Sequence, residues 1–273
     1  MNKTALTAFC LALGATLAAP AAEESGKVID LNKPVIESIK PDGFYWAFDD
    51  GIIGESEPRT VTDFSGNSFD GQISAANASV TPTYAEGVFG TAIYVQGIPQ
   101  VSWGFKHKLN SAPDPSRLIM KGRSFTGGAW FKMDDLKQSF HALIRRDENA
   151  IGWRLIIYNE NLTDKDSAGT AWYPSLEYGS SRSRGKSTVS TSVFSDGKWH
   201  HVGFSVSPDS SVGEDEIEFT TVYWLDGVEF DRVVFKAKIP DPNPETQFLS
   251  IGNGAWGLID DAFVTTGVHT FKK

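Results

Sequence analysis

Carboxylates, amides and glycines gather in two places along the chain. Between Tyr45 and Gly71 lie Phe48-Asp49-Asp50-Gly51, then Asp63-Phe64-Ser65-Gly66-Asn67, then Asp70-Gly71. Near the other end, Ile259-Asp260-Asp261-Ala262-Phe263 sets an acidic pair inside an apolar run. Short polar side chains and glycine build turns, because they bond to their own backbone and accept positive φ. The same residues present the oxygen donors that hard cations require. One reading is a calcium ion held by Asp49, Asp63, Asn67, the carbonyl of Gly71 and Asp260. The other is that Asp63 and Asn67 cap their own turn while Asp49 and Asp260 are solvated.

A second set combines aromatic and charged side chains: Trp130, Lys132, Arg145, Trp153, Arg154, Tyr158, Glu177 and Tyr178. Sugars stack on flat aromatic faces and have their hydroxyls fixed by neighbouring polar groups. On strands, successive side chains point to opposite faces. Trp153 and Arg154 therefore cannot line one groove, and some of these aromatics belong to a core. The candidate ligand-binding residues are Trp130, Lys132, Arg145, Trp153, Tyr158 and Tyr178.

Other constellations fail on their own terms. Asp164-Lys165-Asp166-Ser167-Ala168-Gly169 opens like a calcium loop, but Ala168 and Ser175 stand where ligands are needed. Gly252-Asn253-Gly254-Ala255-Trp256-Gly257 matches a dinucleotide fingerprint, yet a strand pattern follows it rather than a helix. His200 and His201 are strand neighbours facing opposite ways, poor geometry for one metal. No Gly-x-Ser-x-Gly nucleophile elbow occurs. No residue is assigned a catalytic role.

The elements that must position these residues are strands. From Phe44 onward short β-branched and aromatic runs alternate with Gly, Pro, Asn, Asp and Ser. No segment keeps a helical period. The pattern predicts strands at 44–48, 71–74, 91–95, 100–104, 125–133, 140–146, 152–159, 174–179, 188–193, 200–206, 219–225, 228–235, 247–251 and 258–265. Asp226-Gly227 is a hairpin turn signal. In 129–133, Ala129, Phe131 and Met133 should face one side and Trp130 and Lys132 the other. Residues 105–123 and 160–173 are the longest loops, where binding residues usually sit.

Three segments follow from this. Residues 1–21 read as a signal peptide: Lys3, an apolar run from Ala5 to Ala19, and Ala19-Pro20-Ala21 at the cleavage point. The run is too short to cross a bilayer, and no transmembrane segment is expected in the mature chain. Residues 22–42 read as an extended arm with a short strand at Val35–Ile39. Residues 43–273 read as one all-β domain, for which eight Trp, 18 Phe and seven Tyr provide core bulk. The one cysteine, Cys10, lies in the signal run, so the mature domain has no disulfide. A net charge of −9 with interspersed signs argues against nucleic acid, which needs a basic face.

Five pieces in order make a resemblance. They are the acidic opening followed by Phe89-Gly90-Thr91-Ala92, then Ser124-Phe125-Thr126-Gly127-Gly128-Ala129-Trp130-Phe131-Lys132, Gly197-Lys198-Trp199-His200-His201-Val202, Tyr223-Trp224-Leu225-Asp226-Gly227, and Gly257-Leu258-Ile259-Asp260-Asp261. Together they resemble the laminin-G-like, concanavalin A-like lectin and glucanase domains. The resemblance implies a jelly-roll sandwich of two antiparallel sheets. It favours the calcium reading, since related domains hold calcium between an N-terminal turn and an acid of the last strand, which Asp260 matches. It also implies secreted or periplasmic binding of a glycan. The alternatives are an adhesion module for a cell-surface protein and a glycan hydrolase or lyase. Glucanases of this fold carry a Glu-x-Asp-x-Glu-type run. Here Glu214, Glu216 and Glu218 alternate without its aspartate, which favours a solvated hairpin.

Overall fold

The computed structural model describes residues 26–56, 59–73, 83–96, 101–104, 118, 122–133, 140–148, 151–158, 173–178, 183–211, 216–238, 248–253 and 255–273. The signal-like segment, the loops around 105–117 and 160–172, Asp164 to Gly169 and Glu214 lie outside the described residues. The first six strands are β1 (Val28–Asp30), β2 (Phe44–Trp46), β3 (Thr60–Val61), β4 (Gly71–Ile73), β5 (Thr83–Glu86) and β6 (Thr91–Gln96). The middle six are β7 (Val101–Gly104), β8 (Phe125–Met133), β9 (Phe140–Glu148), β10 (Ile151–Tyr158), β11 (Tyr173–Tyr178) and β12 (Ser183–Lys186). The last six are β13 (His200–Ser211), β14 (Glu216–Leu225), β15 (Val228–Lys238), β16 (Phe248–Asn253), β17 (Trp256–Thr266) and β18 (Thr270–Lys272).

Two large sheets face each other. Sheet I has the order β15-β14-β13-β8-β17-β6-β5, with β2 also paired to β17. Sheet II has the order β12-β11-β10-β9-β16-β7-β4-β3. The pairings within both are antiparallel, and the early strand β2 lies beside the late strand β17, as the sequence implies. This is the expected all-β sandwich of the concanavalin A-like type. Between the sheets, alternating side chains interlock: Phe44, Trp46, Ala129, Phe131 and Phe204 from sheet I meet Leu143, Trp153, Leu155, Leu176 and Ile251 from sheet II. Tyr223 spans this core. Its hydroxyl donates to the Gly185 carbonyl on β12 and accepts the Leu176 N–H of β11 at 2.5 Å.

A third layer covers the outer face of sheet I. β1 pairs in parallel with β18, and Ile29, Leu31, Val35, Ile39 and Phe271 bury the outward-pointing Tyr45, Ala47, Trp130 and Phe263. A side chain at Gly203 would strike the Phe271 ring at 2.6 Å, so glycine there lets the C-terminal strand lie flat. The arm is thus part of the domain.

Two local expectations are corrected. The segment 35–39 forms a single 3-10 turn, Val35–Glu37, because Pro34 fixes the entry and Ser38 N–H bonds back to the Val35 carbonyl. The strand expected at 188–193 sits earlier, as β12, and Val193–Ser195 is another 3-10 turn. At the expected hairpin, Asp226 and Gly227 both take positive φ, 49° and 83°, the backbone of a type I′ turn.

Candidate functional site

The acidic residues separate into two networks. In the first, β17 carries a bulge between its pairings at Asp260 and Phe263, where it exchanges β6 for β2 as a neighbour. Asp261 takes a left-handed φ of 52° there, so both carboxylates of the pair turn into the fold. Asp261 accepts the Tyr45 hydroxyl and, at 3.0 Å, the Val35 N–H. Asp260 Oδ2 accepts the N–H groups of Val88 and Phe89 at 2.8 and 3.2 Å. Asp49 Oδ1 accepts the Thr91 N–H at 3.0 Å. Asp49 and Asp260 therefore meet at the same β5–β6 turn. Burial, then the neighbouring Asp261 charge, push the Asp260 carboxyl up to about 8. Burial raises Asp261 to about 6, and burial with the Asp50 charge raises Asp49.

The second network is closed on itself. Asp63 accepts the backbone N–H groups of Tyr45, Ser65 and Phe69 at 2.9 to 3.0 Å and the Ser65 hydroxyl at 2.8 Å. Asn67 donates its amide to the carbonyls of Asp42 and Gly43. Gly71 opens β4 in sheet II, opposite Val61. Of the five residues expected to share one ion, the structure brings Asp49 and Asp260 to one turn and uses Asp63 and Asn67 as turn caps. Nothing in the spacing separates the two roles, because capping and coordination draw on the same residue types.

Calcium can be tested against these donors. Among the described residues no group of three or more His, Cys, Asp or Glu is arranged to hold a metal. Asp260 Oδ1 is nonetheless buried without a hydrogen-bond partner among them, and such an orphaned carboxylate oxygen is costly unless something pairs with it. A cation at Asp49 and Asp260 fits that need.

The expected ligand residues divide over both sheets. Trp130 is buried under the arm on the outer face of sheet I, with Lys132 beyond it on the same strand face. Its ring meets His201 edge-on at 5.4 Å. Trp153 lies in the inter-sheet core and donates Nε1–H to the Leu118 carbonyl, and Tyr178 stands opposite it in register. Trp130 and Trp153 thus lie in two separate clusters and line no common groove. Arg145 and Tyr158 do share a surface, the outer face of sheet II.

On that face the pairings align one cross-strand row: Arg184, Glu177, Arg154, Arg145, Ser250, Ser102, Gln72 and Thr60. It crosses all eight strands without an apolar residue. Arg154 and Glu177 form a buried ion pair in its floor. Ser250 in the row and Ser175 beside it are fully buried, and their hydroxyls lack partners among the described residues. On the neighbouring row Lys186 lies opposite Ser175, its ammonium 4.5 Å from the centre of the Tyr173 ring. Tyr173 faces Tyr158. Ser175, Lys186, Tyr173 and Ser250 escape sequence reading because only strand register puts them together.

The sandwich has counterparts among known proteins. A family model described as the concanavalin A-like lectin/glucanases superfamily matches residues 108–268. The chain belongs to this superfamily. No curated protein matches the chain. Similar solved structures include domain 4 of an extracellular arabinanase from Geobacillus stearothermophilus, in complex with arabinotriose, at 18% identity and TM-score 0.47, covering 83% of this chain and 92% of that one. The binding domain of botulinum neurotoxin serotype D follows at 12% identity and TM-score 0.46, covering 84% and 49%. Trypanosoma rangeli sialidase stands at 11% identity and TM-score 0.47, covering 81% and 30%. The chain thus spans about half of the second and under a third of the third. The superfamily fixes the fold and leaves function to the site.

Proposed function

We propose that the chain is an exported, non-catalytic glycan-binding module whose ligand lies on the outer face of sheet II, with a calcium ion at Asp49 and Asp260. The observation that carries the binding face is the polar row from Arg184 to Thr60. An outer sheet face is free to be polar, but buried serine hydroxyls without partners among the described residues call for a hydroxylated group or water. On sheet I the arm covers the middle of the outer face. Superfamily membership is compatible with glycan binding, and the leader-like segment 1–21 supports export. No helix among the described residues is long and apolar enough to cross a membrane.

A glycan array probed with the mature chain, with calcium and with chelator, tests this. Binding should occur, and Tyr158→Ala should weaken it while leaving the melting temperature nearly unchanged. Capture of a cell-surface protein with no glycan bound would favour the adhesion reading instead.

A further inference from the structure

Four buried nitrogen atoms on the outer face of sheet I have no hydrogen-bond partner among the described residues. They are Trp130 Nε1, Trp224 Nε1 and both ring nitrogens of His201. Register puts the three side chains on one face. His201 stands opposite Trp130, and two residues on, Gly203 stands between Gly128 and Trp224. The paired glycines leave a socket in the sheet surface. The His201 ring lies over Gly128, where a side chain would meet it at 2.9 Å, and the Phe271 ring lies over Gly203. The Phe271 ring centre is 5.0 Å from that of His201 and 5.9 Å from that of Trp224.

The occupant does not match the socket. An indole N–H only donates, and a neutral imidazole offers one donor and one acceptor. Burial pushes His201 down to about 3, so it is the neutral form. The phenyl group of Phe271 has no polar hydrogen to give, and its face is a weak acceptor at best. Covering the four nitrogens with it therefore leaves their lost hydration unrepaid. The cover is also short. β18 has three residues, paired to the three of β1, and the arm adds bonds from Thr270 N–H to the Lys27 carbonyl and from Leu31 N–H to the Lys272 carbonyl. Trp224 is only partly buried, so one wall of the socket reaches the surface.

We infer that this socket is a second binding site, for one pyranose unit of a glycan, and that Phe271 is the displaceable plug that covers it. A sugar ring lays its C–H face on an aromatic ring. Its hydroxyl groups supply the acceptors that the two indoles lack and a donor for the imidazole. A ligand that binds only the uncovered state draws the protein toward that state. The plug weakens the site by the fraction of molecules in which it is seated. The site lies on the other sheet from the face proposed above, and neither depends on the other.

The test reads the indole N–H signals of Trp130 and Trp224 by nitrogen-15 NMR of the mature chain, assigned through Trp130→Phe and Trp224→Phe. Binding on sheet II does not register at these two groups. The probes are methyl β-glucoside, methyl β-galactoside and methyl α-mannoside, with cyclohexanol as a ring without the hydroxyl pattern. At least one glycoside should move both signals in Phe271→Ala, whose fold circular dichroism checks. The same glycoside should bind the parent chain at least about tenfold more weakly, because the plug must leave first. Cyclohexanol should move neither signal. Signals that no glycoside moves in folded Phe271→Ala overturn the inference. An equal response to cyclohexanol overturns it too, since the socket is then merely apolar, and equal affinity of parent and variant removes the plug. If Phe271→Ala does not fold, hydrogen exchange in the parent chain decides. The glycosides should then speed exchange at the Leu31 and Thr270 amides that tie the C-terminal strand to the arm, and unchanged protection overturns the inference.

Discussion

Asp49 and Asp260 grip one turn from two sides. Asp260 Oδ2 takes the N–H groups of Val88 and Phe89, and Asp49 Oδ1 takes that of Thr91. Gly90, at φ 68°, closes the turn against the Asp49 carboxylate. The two acids come from opposite ends of the chain, and burial makes their ionised forms expensive.

A cation should therefore stabilise the fold. At about 100-fold over its dissociation constant, calcium should contribute roughly 2.7 kcal/mol, seen as a higher melting temperature in calcium than in chelator. Asp260→Asn should abolish the difference. Asp63→Asn should lower stability in both buffers alike, because Asp63 serves its own turn. Identical melting of the parent protein in the two buffers would rule the ion out.

The pH dependence has a defined sign without calcium. Asp260 ionises near its ordinary value when unfolded and near 8 when folded. The folded state then holds the extra proton between those values, so stability falls as pH rises across that window. Urea midpoints measured in chelator at about pH 5 and about pH 8 check this, and Asp260→Asn should flatten the trend.

His200 gives a second pH signature. Its hydrogen bond to Asp226, and a further one to Asp196, raise its value above that of free histidine. Its contribution is complete at pH below the free value and is lost as pH climbs through the folded one. His200→Gln should remove that upper-pH loss and little else. His201 next to it is buried and pushed down to about 3, so it stays neutral throughout.

Trp130 supplies a direct contrast with the groove reading. Trp130→Ala should cost about 3–5 kcal/mol in chemical denaturation, whereas glycan retention by the folded fraction should persist. Loss of binding at full stability would return Trp130 to the ligand face.

Hydrolysis is not expected. Glu218 reaches Lys236 at 3.7 Å and Glu216 stands opposite Lys238, both partly exposed on the β14–β15 ribbon. Their environments are alike, whereas acid and base roles need different ones. Incubation with a polysaccharide panel should release no reducing ends or unsaturated sugars. Release abolished by Glu216→Gln would reverse this.

Fold class was legible because alternation survives wherever one strand face packs, as in Ala129, Phe131 and Met133 against Trp130 and Lys132. The split of the aromatics was only half legible. Alternation separates Trp153 from Arg154 but does not say which of the two faces the core. β1 and β18 were invisible: three residues each, they exist only as partners of one another. The acidic turns were found, but two networks merged into one, since Asp63 and Asp260 look alike until the backbone shows whose N–H groups each one takes.

The parallel pairing of Val28 with Thr270 joins positions separated by about 240 residues, a closure whose entropic cost grows only slowly with length. Its cost is in time. Made or exported from the N-terminus, the chain must carry its arm unpaired until β18 emerges. Until then His201, Trp224 and Phe263 lack the Phe271 ring that packs on them in the finished sandwich. The interval between completing β17 and docking β18 is when the protein is most open to aggregation and to holding chaperones. Truncation at Gly267 should make that interval permanent.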